Sequence, residues 1–183
     1  MEELSLNILD IVENSVSAGA SIIKILLEVS EKNDVLKIVI EDNGKGMEKD
    51  EAVKALDPFY TSKSGKRVGL GLPIFAQVAE GCGGSLTIDS EKGKGTKVTV
   101  QMKLNHIDRP PLGDLSSTIL TIIAGHADID FFIYVKTDYG EFKIDTREIK
   151  EVLGKEALFH PEVIRFVKED IEREINAILK GGI

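Results

Sequence analysis

The N-terminal segment, residues 1–18, restricts the possible folds of this chain more than any other part, because it predicts a helix with two committed faces. At 3.6 residues per turn its aliphatic side chains fall on one side, as in a helix packed on a core. They are Leu4, Ile8, Ile11, Val12 and Val16. Short polar residues form a second stripe: Asn7, Asp10, Asn14 and Ser17. This stripe is either the wall of a ligand site or a plain water-facing surface.

Composition narrows the class of protein. The chain has 183 residues, 42% hydrophobic and 30% charged, which suits one domain with an appendage or two small domains. A net charge of -8 argues against nucleic acid or a membrane as a partner. Cys82 is the only cysteine, which excludes an internal disulfide and indicates a reducing compartment. The acidic start is unlike a signal peptide and no apolar run approaches the ~20 residues of a membrane span, so we expect a cytoplasmic protein.

Two strand pairs follow the first helix. Residues 21–30 and 35–41 predict a pair joined by a four-residue turn, and residues 85–89 and 96–104 predict a second pair. The stretch Asp42-Asn43-Gly44-Lys45-Gly46 comes directly after the second strand. A carboxylate there can accept hydrogen bonds from an exocyclic amine, and the glycines allow a flat base to lie against the backbone.

The second glycine-rich stretch comes after a loop without periodicity. Gly69 and Gly71 begin a predicted helix, and helix N-termini bind phosphate through free N–H groups and the dipole. The preceding loop supplies three cations suited to a polyphosphate: Lys63, Lys66 and Arg67. Each signal alone is also explained by turn chemistry. Together with the first helix they predict a nucleotide pocket, with the base near the first glycine pair, phosphates near the second, and a metal at Asn14.

Four ordered motifs resemble those of the GHKL ATP-binding superfamily, which comprises gyrase, heat-shock chaperone, histidine kinase and MutL proteins. They are an N box at 10–20, a glycine box at 42–47, an F box at 58–63 and a second glycine box at 69–72, followed by Gly93-Lys94-Gly95-Thr96. The resemblance implies an α/β sandwich of the Bergerat type, with helices on one face of a mixed β-sheet and Mg-ATP bound between them. We expect an ATP-binding domain over residues 1–104 and a C-terminal extension over residues 105–183.

The resemblance also implies roles for single residues. Asp42 would hold the adenine amino group, Thr96 would support Asp42 or its bridging water, and Gly46 would lie beside the base. Asn14 would coordinate Mg²⁺, which prefers oxygen ligands. The other expected nucleotide-binding residues belong to the glycine boxes and the lid between them: Gly44, Met47, Thr61, Lys63, Lys66, Arg67, Gly69, Leu70, Gly71 and Leu72.

The catalytic candidate is Asp10. In ATP-hydrolysing branches of the superfamily a Glu one turn before the Asn orients the attacking water, and Asp10 stands at that position with one methylene less. Glu13 lies about 100° away around the helix, so we expect it to face solvent. The shorter carboxylate leaves fast hydrolysis in question.

The motifs resemble two different branches of the superfamily. The N box resembles that of MutL, whereas the longer stretch from Gly69 to Val100 resembles a histidine kinase. The chain departs from the kinase pattern at Ser17, where a lysine is usual, and it begins at the N-box helix without the upstream acceptor helices. The segment after His106 shares the spacing of a phospho-accepting H box, with a Pro-rich linker as the simpler interpretation.

The C-terminal extension predicts a helix over 112–125, a hairpin over 129–144 and two further helices. We hypothesise that the hairpin replaces the edge hairpin that kinases place before the N box. The function expected from the resemblance is an ATP-dependent kinase of the histidine or anti-sigma serine type, acting on a protein in trans. The alternatives are a slow ATPase or ATP-dependent switch, and a nucleotide-binding regulator without turnover.

Overall fold

The computed structural model describes residues 3–57 and 71–179, and within them the strands form one six-stranded sheet. The strands are β1 (Ile22–Ser30), β2 (Val35–Asp42), β3 (Ser85–Glu91), β4 (Gly95–Met102), β5 (Asp130–Thr137) and β6 (Gly140–Asp145). Their order across the sheet is β3-β4-β2-β1-β5-β6. The pair β1–β5 is parallel and the other four pairs are antiparallel. The expected mixed sheet is therefore confirmed.

Six helices and one 3-10 turn accompany the sheet in the described ranges. They are α1 (Leu4–Ser17), α2 (Lys49–Lys54), α3 (Gly71–Gly81), α4 (Leu115–Gly125), α5 (Thr146–Leu153), the turn Ala157–Phe159, and α6 (Pro161–Ile178). Their starts carry ordinary signals: Asp114 and Asp145 cap α4 and α5 with their carboxylates, and Pro161 occupies the first turn of α6. Among these helices none is long and apolar enough to cross a membrane.

The core lies between one face of the sheet and the helices. Strand residues alternate between this face and the other, so Ile25 and Leu27 are buried while Lys24 is exposed. The aliphatic face of α1 is buried against the same core, with Ile8 and Val12 at 1% and 0% exposure. The predicted apolar face of α1 is therefore the covered one, and the sandwich architecture is confirmed.

The C-terminal hairpin is part of this sheet. Strand β5 runs parallel to β1, with Ile133 in register with Ile25. The turn after β5 is tied to the turn after β1 through Asp138, whose carboxylate accepts from the Ser30 hydroxyl and the Lys32 amide, both at 3.0 Å. A single hydrophobic cluster includes side chains from both parts of the chain. The hypothesis that the hairpin replaces an edge hairpin requires the hairpin to join the ATP-domain sheet, and the pairing of β5 with β1 meets that requirement.

Candidate functional site

The central feature of the candidate site is a buried carboxylate at the end of β2. Asp42 is 9% exposed, and both of its oxygens accept hydrogen bonds. Oδ2 accepts from the Ser15 hydroxyl at 2.7 Å, and Oδ1 accepts from the Gly44 amide at 2.8 Å. A carboxylate has about four acceptor positions, so these two bonds fix its orientation and leave acceptor capacity for a ligand. The arrangement suits recognition of an amino group.

A cluster of hydroxyls lies next to this carboxylate. Thr96 on β4 is the register partner of Asp42, and its Oγ1 lies 2.8 Å from Ser90 Oγ. Ser90 also donates to the Gly95 carbonyl at 3.0 Å and accepts from the Met47 amide at 2.9 Å. The cluster therefore links the first glycine box to the turn between β3 and β4.

Three glycines are required by close backbone packing around this cluster. A Cβ on Gly44 would lie 2.9 Å from the carbonyl oxygen of Ala18, and one on Gly46 would lie 2.1 Å from that of Glu91. A Cβ on Gly95 would lie 1.9 Å from the carbonyl oxygen of Asp42. Gly46 and Gly95 also have positive φ angles of 64° and 119°. The glycines that predicted a ligand site thus bring the N box, the glycine box and the β3–β4 turn into contact.

The polar stripe of α1 divides in the structure. Asn7 is buried, at 4% exposure, whereas Asp10 and Asn14 are exposed one turn apart. The first residue of α3, Gly71, lies against Asp10, since a Cβ there would be 3.3 Å from Asp10 Oδ2. The start of α3, where free N–H groups favour anions, therefore meets the catalytic candidate.

For the side chains of two further predicted site residues the structure gives only their burial. Leu72 is partly buried on the core in the first turn of α3, and Met47 is half-buried. The lid lies outside the described residues, and its assignments stay predictions: Thr61, Lys63, Lys66, Arg67, Gly69 and Leu70.

Metal binding by protein side chains alone finds no support in residues 3–57 and 71–179, where no group of three His, Cys, Asp or Glu could hold an ion. Mg²⁺ at phosphate sites typically takes one or two protein oxygens and completes its shell with phosphate and water. The exposed carboxamide of Asn14, one turn along α1 from Asp10, fits this limited role.

Two contacts were missed by the sequence interpretation. The first is the hydrogen bond from Ser15 to Asp42. A signal for it exists in the sequence, because Ser15 continues the 4-8-11-15 spacing of the buried α1 face, which turns its hydroxyl inward. Glu13 keeps about half of its side chain exposed, at 51%, yet its Oε1 lies 2.7 Å from Nε2 of His126, the residue that ends α4. No local pattern predicts this second contact, which spans more than a hundred residues.

His106 lies beyond the far end of β4 from Asp42. The strand from Thr96 to Met102 alone spans roughly 20 Å at ~3.3 Å per residue, so the structure does not bring His106 to Asp42. Its Nδ1 accepts from the Asp108 amide at 3.2 Å within a closed turn. Arg109 holds the turn by donating to the Leu104 and Pro110 carbonyls at 2.5 and 2.8 Å, and burial lowers the pKa of its guanidinium.

Comparison with known proteins assigns the family. The chain belongs to the histidine kinase-, DNA gyrase B- and HSP90-like ATPases, a family that matches residues 2–106. The sensor histidine kinase ZraS of Escherichia coli (strain K12) is 29% identical over 112 residues, which cover 61% of this chain and 24% of that protein. The anti-sigma F factor of Clostridium perfringens (strain SM101 / Type A) is 38% identical over 82 residues, covering 44% of this chain and 54% of that factor.

A solved structure shares the fold. The crystal structure of the N-terminal domain of a DNA repair protein superposes with a TM-score of 0.57 at 17% identity, covering 90% of this chain and 59% of that one. The chain spans between a quarter and about half of the length of the two curated relatives above.

Proposed function

We propose that residues 1–104 bind Mg-ATP between α1, the loop after β2 and the start of α3, and that the chain transfers the γ-phosphoryl group to a protein in trans. The observation that carries this proposal is the buried, oriented carboxylate of Asp42. Its free acceptor positions suit the exocyclic amine of adenine. The family match, to proteins described as ATPases, supports ATP as the nucleotide.

The phosphate end of the proposed site is formed by α1 and α3. Gly71 places the amide end of α3 beside Asp10, and this helix terminus would offer N–H groups to the phosphates. Asn14 would hold Mg²⁺, which neutralises charge on the phosphates when bound. Asp10 would orient the attacking oxygen, and the lid residues Lys63, Lys66 and Arg67 would add positive charge.

A protein acceptor is supported by two considerations. The relatives are named as a sensor histidine kinase and an anti-sigma factor, and the latter name implies a protein partner. Within this chain His106 stands in a closed turn with its Nδ1 accepting from the Asp108 amide, which disfavours it as the acceptor. We place this activity in the cytoplasm, where the free thiol of the buried Cys82 stays reduced.

A slow ATPase or ATP-dependent switch is the second candidate. The observation that favours it is the ion pair between Glu13 on α1 and His126 at the end of α4. Through this ion pair, a shift of α1 on nucleotide binding would be transmitted to the C-terminal extension. In such a switch Asp10 would orient water, and release of ADP and phosphate would reset the partner contact.

Transfer of label separates these functions. The chain is incubated with γ-labelled ATP and Mg²⁺, alone and with candidate partner proteins. Label on a partner that disappears in Asp10→Asn supports the kinase, and free phosphate alone that disappears in the same variant supports the ATPase. Asp89→Asn is the matched control, because it makes the same change from carboxylate to amide at an exposed position on the edge strand β3. Label on this chain that vanishes in His106→Ala would instead show transfer to His106 and contradict a purely trans acceptor.

A further inference from the structure

The face of the sheet opposite the helices carries a regular charge pattern. We define this outer face by alternate residues of three adjacent strands near the centre of the sheet: Lys24, Leu26 and Glu28 of β1, Lys37, Val39 and Glu41 of β2, and Phe132, Tyr134 and Lys136 of β5. The residues between them point into the core, as Ile25 and Leu27 do on β1. The aliphatic and aromatic members of the outer face are only half-buried.

The strand register sets the charges out as a checkerboard. Lys24 lies opposite Glu41, and Glu28 lies opposite Lys37, so each strand carries both signs in opposite order. Lys24 Nζ and Glu41 Oε1 are 3.2 Å apart, with side-chain exposures of 55% and 44%. These charges therefore stay available to a partner. Between the two charged rows lies an apolar row.

The apolar row runs across the adjacent strands β2, β1 and β5. Leu26 lies opposite Val39 on one side and next to Tyr134 on the other. The Tyr134 hydroxyl donates to Glu141 on β6 at 2.5 Å, which keeps the ring at the edge of this row. The outer face thus has an apolar centre with a charged row on either side, which is the layout of a small interface.

A checkerboard of this kind is complementary to itself. When a second copy is turned by a half-turn about an axis along the apolar row, each strand meets its own copy reversed. Lys37 then faces the partner's Glu41, and Glu28 faces the partner's Lys24, while the apolar rows meet each other. A half-turn about the strand direction between β1 and β2 also pairs opposite charges. Self-complementarity of one patch is what an isologous dimer requires.

We propose that a second copy of this chain packs face to face on the outer face, centred on β1 and β2. Six strands about 4.8 Å apart and about six residues long give a face of roughly 24 Å by 20 Å, at the small end of protein interfaces. The edge strand β6 contributes less, because Glu141 of one copy would meet Asp145 of the other and both are acidic. The charge of Asp145 is paired with Arg147 within its own chain. The dimer is therefore weak and weakens further with salt.

Charge reversal with mixing tests this dimer. The variant Lys24→Glu/Lys37→Glu makes the checkerboard wholly acidic, and Glu28→Lys/Glu41→Lys makes it wholly basic. Each alone places like charges in contact, and we expect the dissociation constant to rise at least about tenfold. An equimolar mixture restores opposite charges and should form a mixed dimer. Lys54→Glu/Lys168→Glu is the matched control, because it makes the same charge change on α2 and α6.

Sedimentation equilibrium of the full chain gives the result. We expect the wild type at about 100 μM and low salt to approach twice the 20.0 kDa monomer mass, and the mixture to do the same. A wild type that stays at the monomer mass overturns the proposal. So does a dimer that survives in both charge-reversed variants, and so does a mixture of two monomeric variants that fails to associate.

Folding of the variants is followed by circular dichroism. If a double variant does not fold, the milder pair Lys37→Glu and Glu41→Lys repeats the mixing experiment with one change in each chain. In the half-turn about the apolar row these two positions face each other, so mixing should restore the dimer, and a mixture that remains monomeric overturns the proposal.

Discussion

Replacing Asp42 by Asn tests the base-binding part of the site. The Gly44 amide needs an acceptor, so the Asn carbonyl oxygen takes the place of Oδ1 and the NH₂ group replaces the oxygen near Ser15. The Ser15 hydroxyl can turn to accept from that NH₂, and the fold is kept. An adenine amino group would then lose a charge-assisted bond and meet a donor.

The magnitude follows from those two losses. A hydrogen bond to a charged group contributes about 1.5–3 kcal/mol, and a buried unpaired donor costs a similar amount. Because the two losses concern one contact and are not additive, we expect a total of about 2–4 kcal/mol. This corresponds to a dissociation constant for Mg-ATP roughly 30 to 1,000 times that of the wild type. Isothermal titration calorimetry measures the constant, and Asp89→Asn on the exposed edge of β3 is the matched control.

Two results would contradict base binding by Asp42. If Asp42→Asn binds Mg-ATP within about threefold of the wild type while unfolding at the same temperature, Asp42 does not hold the base. If the wild type binds purine riboside triphosphate, which lacks the exocyclic amine, as tightly as ATP, the acceptor chemistry assigned to this carboxylate is wrong. Unchanged affinity in Asp89→Asn is needed for either comparison to count, because it excludes an effect of charge alone.

The remaining predictions concern stability. Gly46→Ala should lower the free energy of unfolding in urea by more than about 2 kcal/mol, because its Cβ would lie 2.1 Å from a carbonyl oxygen. Gly93→Ala, with a similar φ of 81° and no atom within 4 Å of its Cβ, should lose only about 1 kcal/mol, and equal losses would contradict the packing argument. Ser15→Ala removes one of the two bonds to Asp42 and should cost about 1–2 kcal/mol in the same assay. The cap of α4 should add a pH dependence, because hydrogen bonds from the first turn lower the pKa of Asp114. Its stabilisation is then complete above the unfolded pKa of about 3.9 and is lost as the pH falls through the lower folded value. Asp114→Asn should match the wild type only at the acidic end of a urea-denaturation series, and a constant gap at all pH values would contradict the cap.

Local sequence determined much of this protein. Strand-forming runs identified the two strand pairs of residues 21–41 and 85–104, and the 3.6-residue period identified the buried face of α1. These predictions succeeded because each depends on a residue and its neighbours within a turn or two. The glycine motifs predicted a backbone that lies close to a ligand, whereas the close approach that the structure shows at Gly46 is to the carbonyl of Glu91 at the β3–β4 turn.

Only the tertiary structure decided which distant groups meet. The parallel pairing of β5 with β1 joins segments about a hundred residues apart, and no local period encodes such a register. The same is true of the bond from Ser15 to Asp42 and of the ion pair between Glu13 and His126. A hydrogen bond needs its two atoms placed within a few tenths of an ångström, and that placement is set by the packing of whole elements. Sequence therefore determined what each segment of this chain becomes, and packing determined which side chains act together.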